Sequence, residues 1–171
     1  MTKVIYLAGG CFWGMQHFLQ LIDGVTHTTV GFANGHTDNP TYKEVYTDTT
    51  GYAETVYVEY DPERVNLTTL LQFYFKAIDP ESLNKQGEDE GTRYRTGVYY
   101  TDEADLKVIQ EEFARQQQVL DGPILVELQP LNNFYPADEY HQDYLIKNPA
   151  GYCHLSPEIF ALAKSYKSKK K

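Results

Sequence analysis

The stretch Lys3-Val4-Ile5-Tyr6-Leu7-Ala8-Gly9-Gly10-Cys11-Phe12-Trp13-Gly14-Met15-Gln16-His17-Phe18-Leu19-Gln20-Leu21-Ile22-Asp23-Gly24 changes its apolar rhythm once. Lys3 to Ala8 is β-prone and alternates weakly, which predicts a first strand. Gly9-Gly10 breaks it. Phe12, Met15, Phe18, Leu19 and Ile22 then recur at helical spacing, which predicts a helix closed by Gly24 as a C-terminal cap. The chain therefore opens with a strand turning directly into a helix, with Cys11 on the turn.

Outward from this unit, Thr26 to Phe32 and Glu54 to Tyr60 read as strands, the second alternating Val56, Val58 and Tyr60 against Thr55, Tyr57 and Glu59. Asp61-Pro62 ends it, and Asn66 caps a helix that runs through Ile78 and stops at Asp79-Pro80. Arg95 to Thr101 is a strand, Glu103 to Leu120 a charged amphipathic helix ended by Gly122-Pro123, and Ile124 to Gln129 a last strand. Ser156-Pro157 opens a terminal helix. The order βαββαβαβ plus a helical tail predicts an α+β fold of the ferredoxin-like, split βαβ kind, with helices on a mostly antiparallel sheet. With no internal repeat or linker, residues 1–171 read as a single domain whose residues 167–171 form a solvated basic tail.

Composition narrows the function classes. Fifteen Lys and Arg against 24 Asp and Glu leave a formal charge of −9, which argues against broad contact with nucleic acid or an anionic membrane surface. Apolar residues make up 42%, too many for a disordered acidic chain. No apolar run reaches membrane-spanning length and the start lacks a signal-peptide pattern, so a cytoplasmic protein is expected. Two cysteines, Cys11 and Cys153, are too few for a disulfide scaffold. The five histidines and two cysteines form no metal-ligand spacing, and Gly9-Gly10-Cys11 with Gly14 is not a nucleotide fingerprint, so neither a metal nor another cofactor is expected. Eight of the 15 tyrosines fall in three long segments, 33–53, 79–94 and 130–156, of a length that is usually functional.

At a helix N-terminus, free N–H groups and the helix dipole favour a thiolate. An ordinary thiol is only about 3% ionised at pH 7. Cys11 is thus a candidate nucleophile, with Phe12 and Trp13 able to wall an apolar pocket. A small buried cysteine at a crowded turn is the alternative on these residues alone.

Several ordered blocks carry a resemblance. Gly10-Cys11-Phe12-Trp13-Gly14, Gly35 to Tyr42 ending in Asn39-Pro40-Thr41-Tyr42, Gly51-Tyr52-Ala53-Glu54, Gln86 to Arg95, His141 to Leu145 and Lys147 to Cys153 resemble, in order, the signatures of A-type peptide methionine sulfoxide reductases. The resemblance implies that Cys11 attacks the sulfoxide sulfur and becomes a sulfenic acid, with Glu54 as the proton donor. Tyr42 and Tyr94 are implied as hydroxyl donors to the oxygen, Phe12 and Trp13 as the methyl-binding walls, and Asp89 as a substrate-binding carboxylate. Cys153 is implied as the resolving thiol, forming a disulfide with Cys11 that thioredoxin reduces. A donor must start protonated, so the Glu54 pKa should be raised by apolar and tyrosine neighbours. The implied substrate is the S epimer of methionine sulfoxide, free or in proteins, and the expected state is a monomer. The chain departs from the family pattern in three places: Gln16 where an acidic residue is common, Tyr52 where His is common, and no third cysteine after Cys153. No B-type domain accompanies it, so the opposite epimer should be left unreduced. A thiol peroxidase and a tyrosine-rich binding module are the rival readings.

Overall fold

The computed structural model describes residues 1–168; Lys169 to Lys171, most of the expected basic tail, lie outside the described residues. The chain order is β1 (Lys3–Ala8), α1 (Phe12–Gln20), β2 (Val25–Ala33), α2 (Tyr42–Tyr46), β3 (Ala53–Tyr60), α3 (Leu67–Ala77), the two-residue strands β4 (Lys85–Gln86) and β5 (Asp89–Glu90), β6 (Gly97–Tyr100), α4 (Ala104–Val119), β7 (Glu127–Pro130), β8 (Phe134–Pro136), α5 (Tyr144–Lys147) and α6 (Pro157–Ser165).

One sheet runs β7-β6-β1-β3-β2-β8, and β4 pairs with β5 in a separate hairpin. All pairs in the main sheet are antiparallel except β6 with β7. The inner four, β6-β1-β3-β2, form the ferredoxin-like order: β1 and β2 flank β3, and β3 and β6 flank β1, each crossover made by a helix.

Alternation along the strands explains the layering. Ile5 and Leu7 of β1, Val30 and Phe32 of β2, and Val56, Val58 and Tyr60 of β3 are fully buried against α1 and α3. Met15, Phe18 and Leu19 of α1, together with Ile22 just beyond it, supply the facing apolar stripe, as do Leu70, Leu71 and Tyr74 of α3. The opposite face carries a smaller cluster of Ala8, Ala33, Ala53 and Tyr99, covered by Tyr6, Leu131 and Phe134. Among the described residues no helix is long and apolar enough to cross a membrane.

Differences from the sequence expectation have local causes. α1 ends at Gln20, because the N–H groups of Leu21 and Ile22 reach back only three residues, to Phe18 and Leu19. Gly24 is not its cap; it turns the chain into β2 at φ +110°. The last expected strand starts late, at Glu127, because the Leu125 N–H is donated to Pro80 O at 2.7 Å rather than to a neighbouring strand. β8, three residues beside two asparagines and a proline, has no strand signature of its own and forms by pairing with β2.

The Asn66 side chain accepts from Thr69 N–H at 2.8 Å at the start of α3. Asn66→Ala is expected to lower unfolding stability by about 1 kcal/mol, read as a shift of the urea midpoint at unchanged slope.

Candidate active site

The site is built on the β1–α1 turn. Gly10, at φ +72°, lets the chain reverse between strand and helix, and its N–H donates to Tyr94 O at 3.1 Å. Cys11 follows as the N-cap residue of α1 and is 7% exposed. Both cysteines are free thiols. The next N–H, that of Phe12, donates to Glu54 Oε1 at 3.1 Å. Glu54 arrives there on β3, opposite Phe32 of β2, and is 1% exposed.

Burial pushes the Glu54 carboxyl up to about 8, against the opposing pull of the Phe12 N–H bond and the Arg93 charge. At neutral pH it is mainly a neutral acid. For Cys11 the helix N-terminus does not win. Desolvation raises the thiol well above its ordinary value, and the Glu54 charge adds when ionised. The backbone N–H groups of Trp13 and Gly14 pull it down only in part. The resting site is thus uncharged at both the thiol and the acid.

Tyr42 is placed by local chemistry. Thr41 caps α2 in a reciprocal box with Glu44, Thr41 Oγ1 accepting from Glu44 N–H at 3.2 Å and Glu44 Oε1 from Thr41 N–H at 2.8 Å. Tyr42 is then the first residue of the helix, its ring 6.3 Å from Phe12 and stacked on His141 at 4.4 Å. Burial raises its hydroxyl pKa, and the fields of Glu54, Tyr94 and Cys11 act on it as well. Tyr94 sits on a 3-10 turn, 7% exposed, under the Arg93 guanidinium at 4.3 Å; burial and the Glu54 field raise its hydroxyl pKa too. The two hydroxyls thus lie near enough to Glu54 to feel its charge.

Trp13 stacks face to face on Tyr144 at 3.7 Å, and its Nε1–H donates to His141 Nδ1 at 3.1 Å. Phe12 is 1% exposed among Phe32, Tyr42 and His141. Asp89 stands on the β4–β5 hairpin, its Oδ1 accepting from Tyr152 Oη–H at 2.9 Å. Cys153 comes from the same segment as Tyr152. A Cβ placed on Gly14 would lie 2.8 Å from Cys153 Sγ, so the sulfur rests on the first turn of α1, the turn that Cys11 begins. The C-terminal segment has folded back over that turn. All eight residues singled out in the sequence converge here.

Sequence reasoning assigned no role to His141, Tyr144, Tyr152 or His154. The first three lie inside motif blocks, but nothing in their own spacing says which ring stacks on Trp13 or which hydroxyl meets Asp89. The departures are accommodated. Buried Gln16 donates to Thr28 Oγ1 at 3.2 Å and accepts from Asp143 N–H at 2.9 Å, a donor-plus-acceptor role that a carboxylate cannot duplicate. Tyr52 is buried, donates to Thr37 O and packs its ring on Gly35. Among the described residues no three His, Cys, Asp or Glu side chains are grouped to hold a metal ion.

A carboxyl held at about 8 in the fold, against its ordinary 4.5, binds a proton in that window only while the chain is folded. Stability is therefore expected to fall as pH rises from about 4.5 to 8. Glu54→Gln keeps an acceptor for the Phe12 N–H and should remove that part of the slope. Urea unfolding of both proteins across this range checks it; equal slopes would overturn the assignment of a raised Glu54 pKa.

Comparison with known proteins agrees with this geometry. A family model described as peptide methionine sulfoxide reductase matches residues 3–171. The peptide methionine sulfoxide reductase MsrA of Clostridium acetobutylicum is 55% identical over 159 residues, covering 93% of this chain and 98% of its own. That of Lachnoclostridium phytofermentans is 52% identical over 165 residues, covering 96% and 99%. Among solved structures, Mxr1 from Saccharomyces cerevisiae in reduced form superposes with a TM-score of 0.86 at 39% identity, covering 91% of each chain. Mxr1 in complex with Trx2 gives 0.60 at 28% identity, covering 84% of each. A family model whose span takes in both cysteines, the buried acid and every strand framing them, with MsrA relatives more than half identical, leaves one conclusion: this chain belongs to the peptide methionine sulfoxide reductase family, A type.

Proposed function

We propose that this chain, acting as one domain over residues 1–171, reduces the S epimer of methionine sulfoxide, free or in proteins, through Cys11, Glu54, Tyr42 and Tyr94, with Cys153 resolving. The observation that carries the proposal is the buried Glu54 carboxyl, neutral at physiological pH, held to the N–H that follows Cys11.

The substrate enters a site whose thiol and acid are both protonated at rest. Its S-methyl group fits the apolar wall of Phe12 and Trp13, which Tyr144 and His141 brace from behind. Its oxygen, the negative end of the S–O dipole, is offered the Tyr42 and Tyr94 hydroxyls and the Glu54 acid. Phenols suit this task because burial keeps them neutral donors. Proton transfer from Glu54 to the oxygen makes the sulfur electrophilic, and Cys11 attacks it. Glu54 recovers the proton that Cys11 gives up. In the resulting adduct the hydroxyl passes to the Cys11 sulfur as the S–O and S–S bonds to methionine break, which leaves Cys11 as a sulfenic acid and releases methionine. Activation comes with substrate, because a thiol desolvated this far ionises only when its proton has an acceptor at hand.

Asp89 is assigned to the substrate backbone, a contact that requires the Tyr152 segment to release it. With no third cysteine, Cys153 forms a disulfide directly with Cys11, and a thioredoxin reduces that disulfide; support comes from the Mxr1–Trx2 complex. The protein works as a cytoplasmic monomer without metal or organic cofactor, the electrons being supplied by thiols.

Single-turnover assays with separated epimers test this reading. Cys11→Ser should form no methionine. Glu54→Gln should slow methionine formation by about a hundredfold or more. Cys153→Ser should form about one equivalent per chain and then stop, even with thioredoxin present. Turnover by Cys11→Ser, or sustained cycling by Cys153→Ser with thioredoxin, would overturn the corresponding role.

A further inference from the structure

His154 is used by nothing described so far, yet it is buried like a working residue. Its side chain is 4% exposed, and neither ring nitrogen has a hydrogen-bond partner among the described residues. Asp89 Oδ2 is the third unpartnered buried atom at the same spot, 3.7 Å from His154 Nδ1. That is ion-pair range but just beyond a hydrogen bond. Nδ1 faces Asp89 Oδ2 and Nε2 faces the Gly10 turn, and buried polar atoms left unpartnered in this way cost stability, so the arrangement calls for a role.

The location says whose proton. A Cβ placed on Gly10 would lie 2.7 Å from His154 Nε2, and one on Gly14 would lie 3.6 Å from Nδ1 and 2.8 Å from Cys153 Sγ. The imidazole therefore covers the turn between Gly10 and Gly14, the two glycines that bracket Cys11, with the Cys153 sulfur on the same surface. We propose that His154, backed by Asp89, is the proton acceptor for the resolving step, taking the proton of the Cys153 thiol as its sulfur attacks Cys11. The inference rests on the reading of Cys153 as the resolving thiol.

The step balances without an outside oxidant. The Cys153 S–H proton moves to His154, the thiolate forms an S–S bond to Cys11, and the sulfenic S–O bond breaks. The departing hydroxide takes the proton from the imidazolium and leaves as water, which regenerates neutral His154. Cys153 is oxidised, and the sulfenic sulfur of Cys11 is reduced to the disulfide level.

A base is needed, because burial raises the Cys153 thiol above its ordinary value; the Leu155 N–H at 3.4 Å lowers it only in part. Burial lowers the His154 pKa against the opposing field of Asp89, so the ring is a neutral acceptor at physiological pH. Asp89 faces it from β5, Tyr152 and Cys153 flank it on its own segment, and Cys11 lies at the turn it covers. Of the neighbouring histidines, His17 also has a buried Nδ1 without a hydrogen-bond partner among the described residues and is the rival acceptor that the His17→Asn arm of the test separates. His141 accepts from Trp13, and His17 lines the Cys153 cavity with its ring set edge-on to Phe160 at 4.9 Å.

The test is a single turnover with the S sulfoxide and no reductant, quenched in time. Methionine release and the loss of free thiols are followed separately. His154→Asn should slow disulfide formation by about a hundredfold, so that Cys11 sulfenic acid accumulates and is captured by a sulfenic-acid-selective probe. The wild-type rate of disulfide formation should rise with pH through a group titrating below the ordinary histidine value, and His154→Asn should lose that rise. His154→Gly, with a ring-sized gap, should regain rate when imidazole is added, whereas His17→Asn should form the disulfide at the wild-type rate. Wild-type disulfide kinetics in His154→Asn would overturn the proposal. So would slowing that leaves the pH profile unchanged and that imidazole does not relieve. Failure of the wild type to release methionine would instead overturn the functional reading beneath it.

Discussion

The hydrogen bond from Phe12 N–H to Glu54 Oε1 ties the fold to the chemistry. An α-helix begins with N–H groups that have no partner inside the helix. In α1 these are divided between two recipients. Phe12 donates to the buried acid, while the N–H groups of Trp13 and Gly14 favour the Cys11 thiolate without a side-chain cap bond to it. The division requires β3 to run beside β1 and β2, because only then does the first turn of α1 sit over Glu54. A charged carboxylate sealed at that depth with one such bond is costly, so the group keeps its proton, and a protonated acid is what sulfoxide reduction needs.

The tyrosine-rich composition divides along the same line. Tyr60, Tyr74 and Tyr99 are core residues, and the Tyr74 hydroxyl ties α3 to the ends of β1 and β6, donating to Ala8 O at 2.5 Å and accepting from Gly97 N–H at 3.1 Å. That anchor holds the strand end from which Gly9-Gly10 turns. Tyr42, Tyr94, Tyr144 and Tyr152 instead ring the turn. A phenol serves both purposes because its body packs as an apolar group while its tip bonds as a donor.

The C-terminal segment lies across the turn that carries Cys11. With Tyr152 on Asp89, Cys153 on Gly14 and His154 over Gly10, the segment occupies the approach to Cys11. Under the proposed roles, substrate and resolving segment would compete for one carboxylate and one turn, and methionine would depart before Cys153 closes. Gln16 and Tyr52, which depart from the family pattern, lie outside this competition: one joins α1 to β2 and to the residue before α5, the other pins the loop ahead of β3.

The long periodic segments were legible without coordinates. Val56, Val58 and Tyr60 alternate as a strand must, Asn66 stands where a helix needs an acceptor, and Gly9-Gly10 interrupts two incompatible periods. These signals are local, carried by neighbours a few residues apart, and they sufficed for the ferredoxin-like core. The ordered motif blocks likewise named Cys11, Glu54, Tyr42, Tyr94, Asp89 and Cys153. Burial, however, belongs to no single segment. Cys11 at a helix N-terminus reads as an easily ionised thiol, but in the fold desolvation outweighs the helix and raises it. The parallel β7, the three-residue β8 and the contacts of His141, Tyr144, Tyr152 and His154 likewise depend on partners far along the chain. The strength of an acid and the partner of a ring are set by which distant surfaces exclude water together, and only the packed chain determines that.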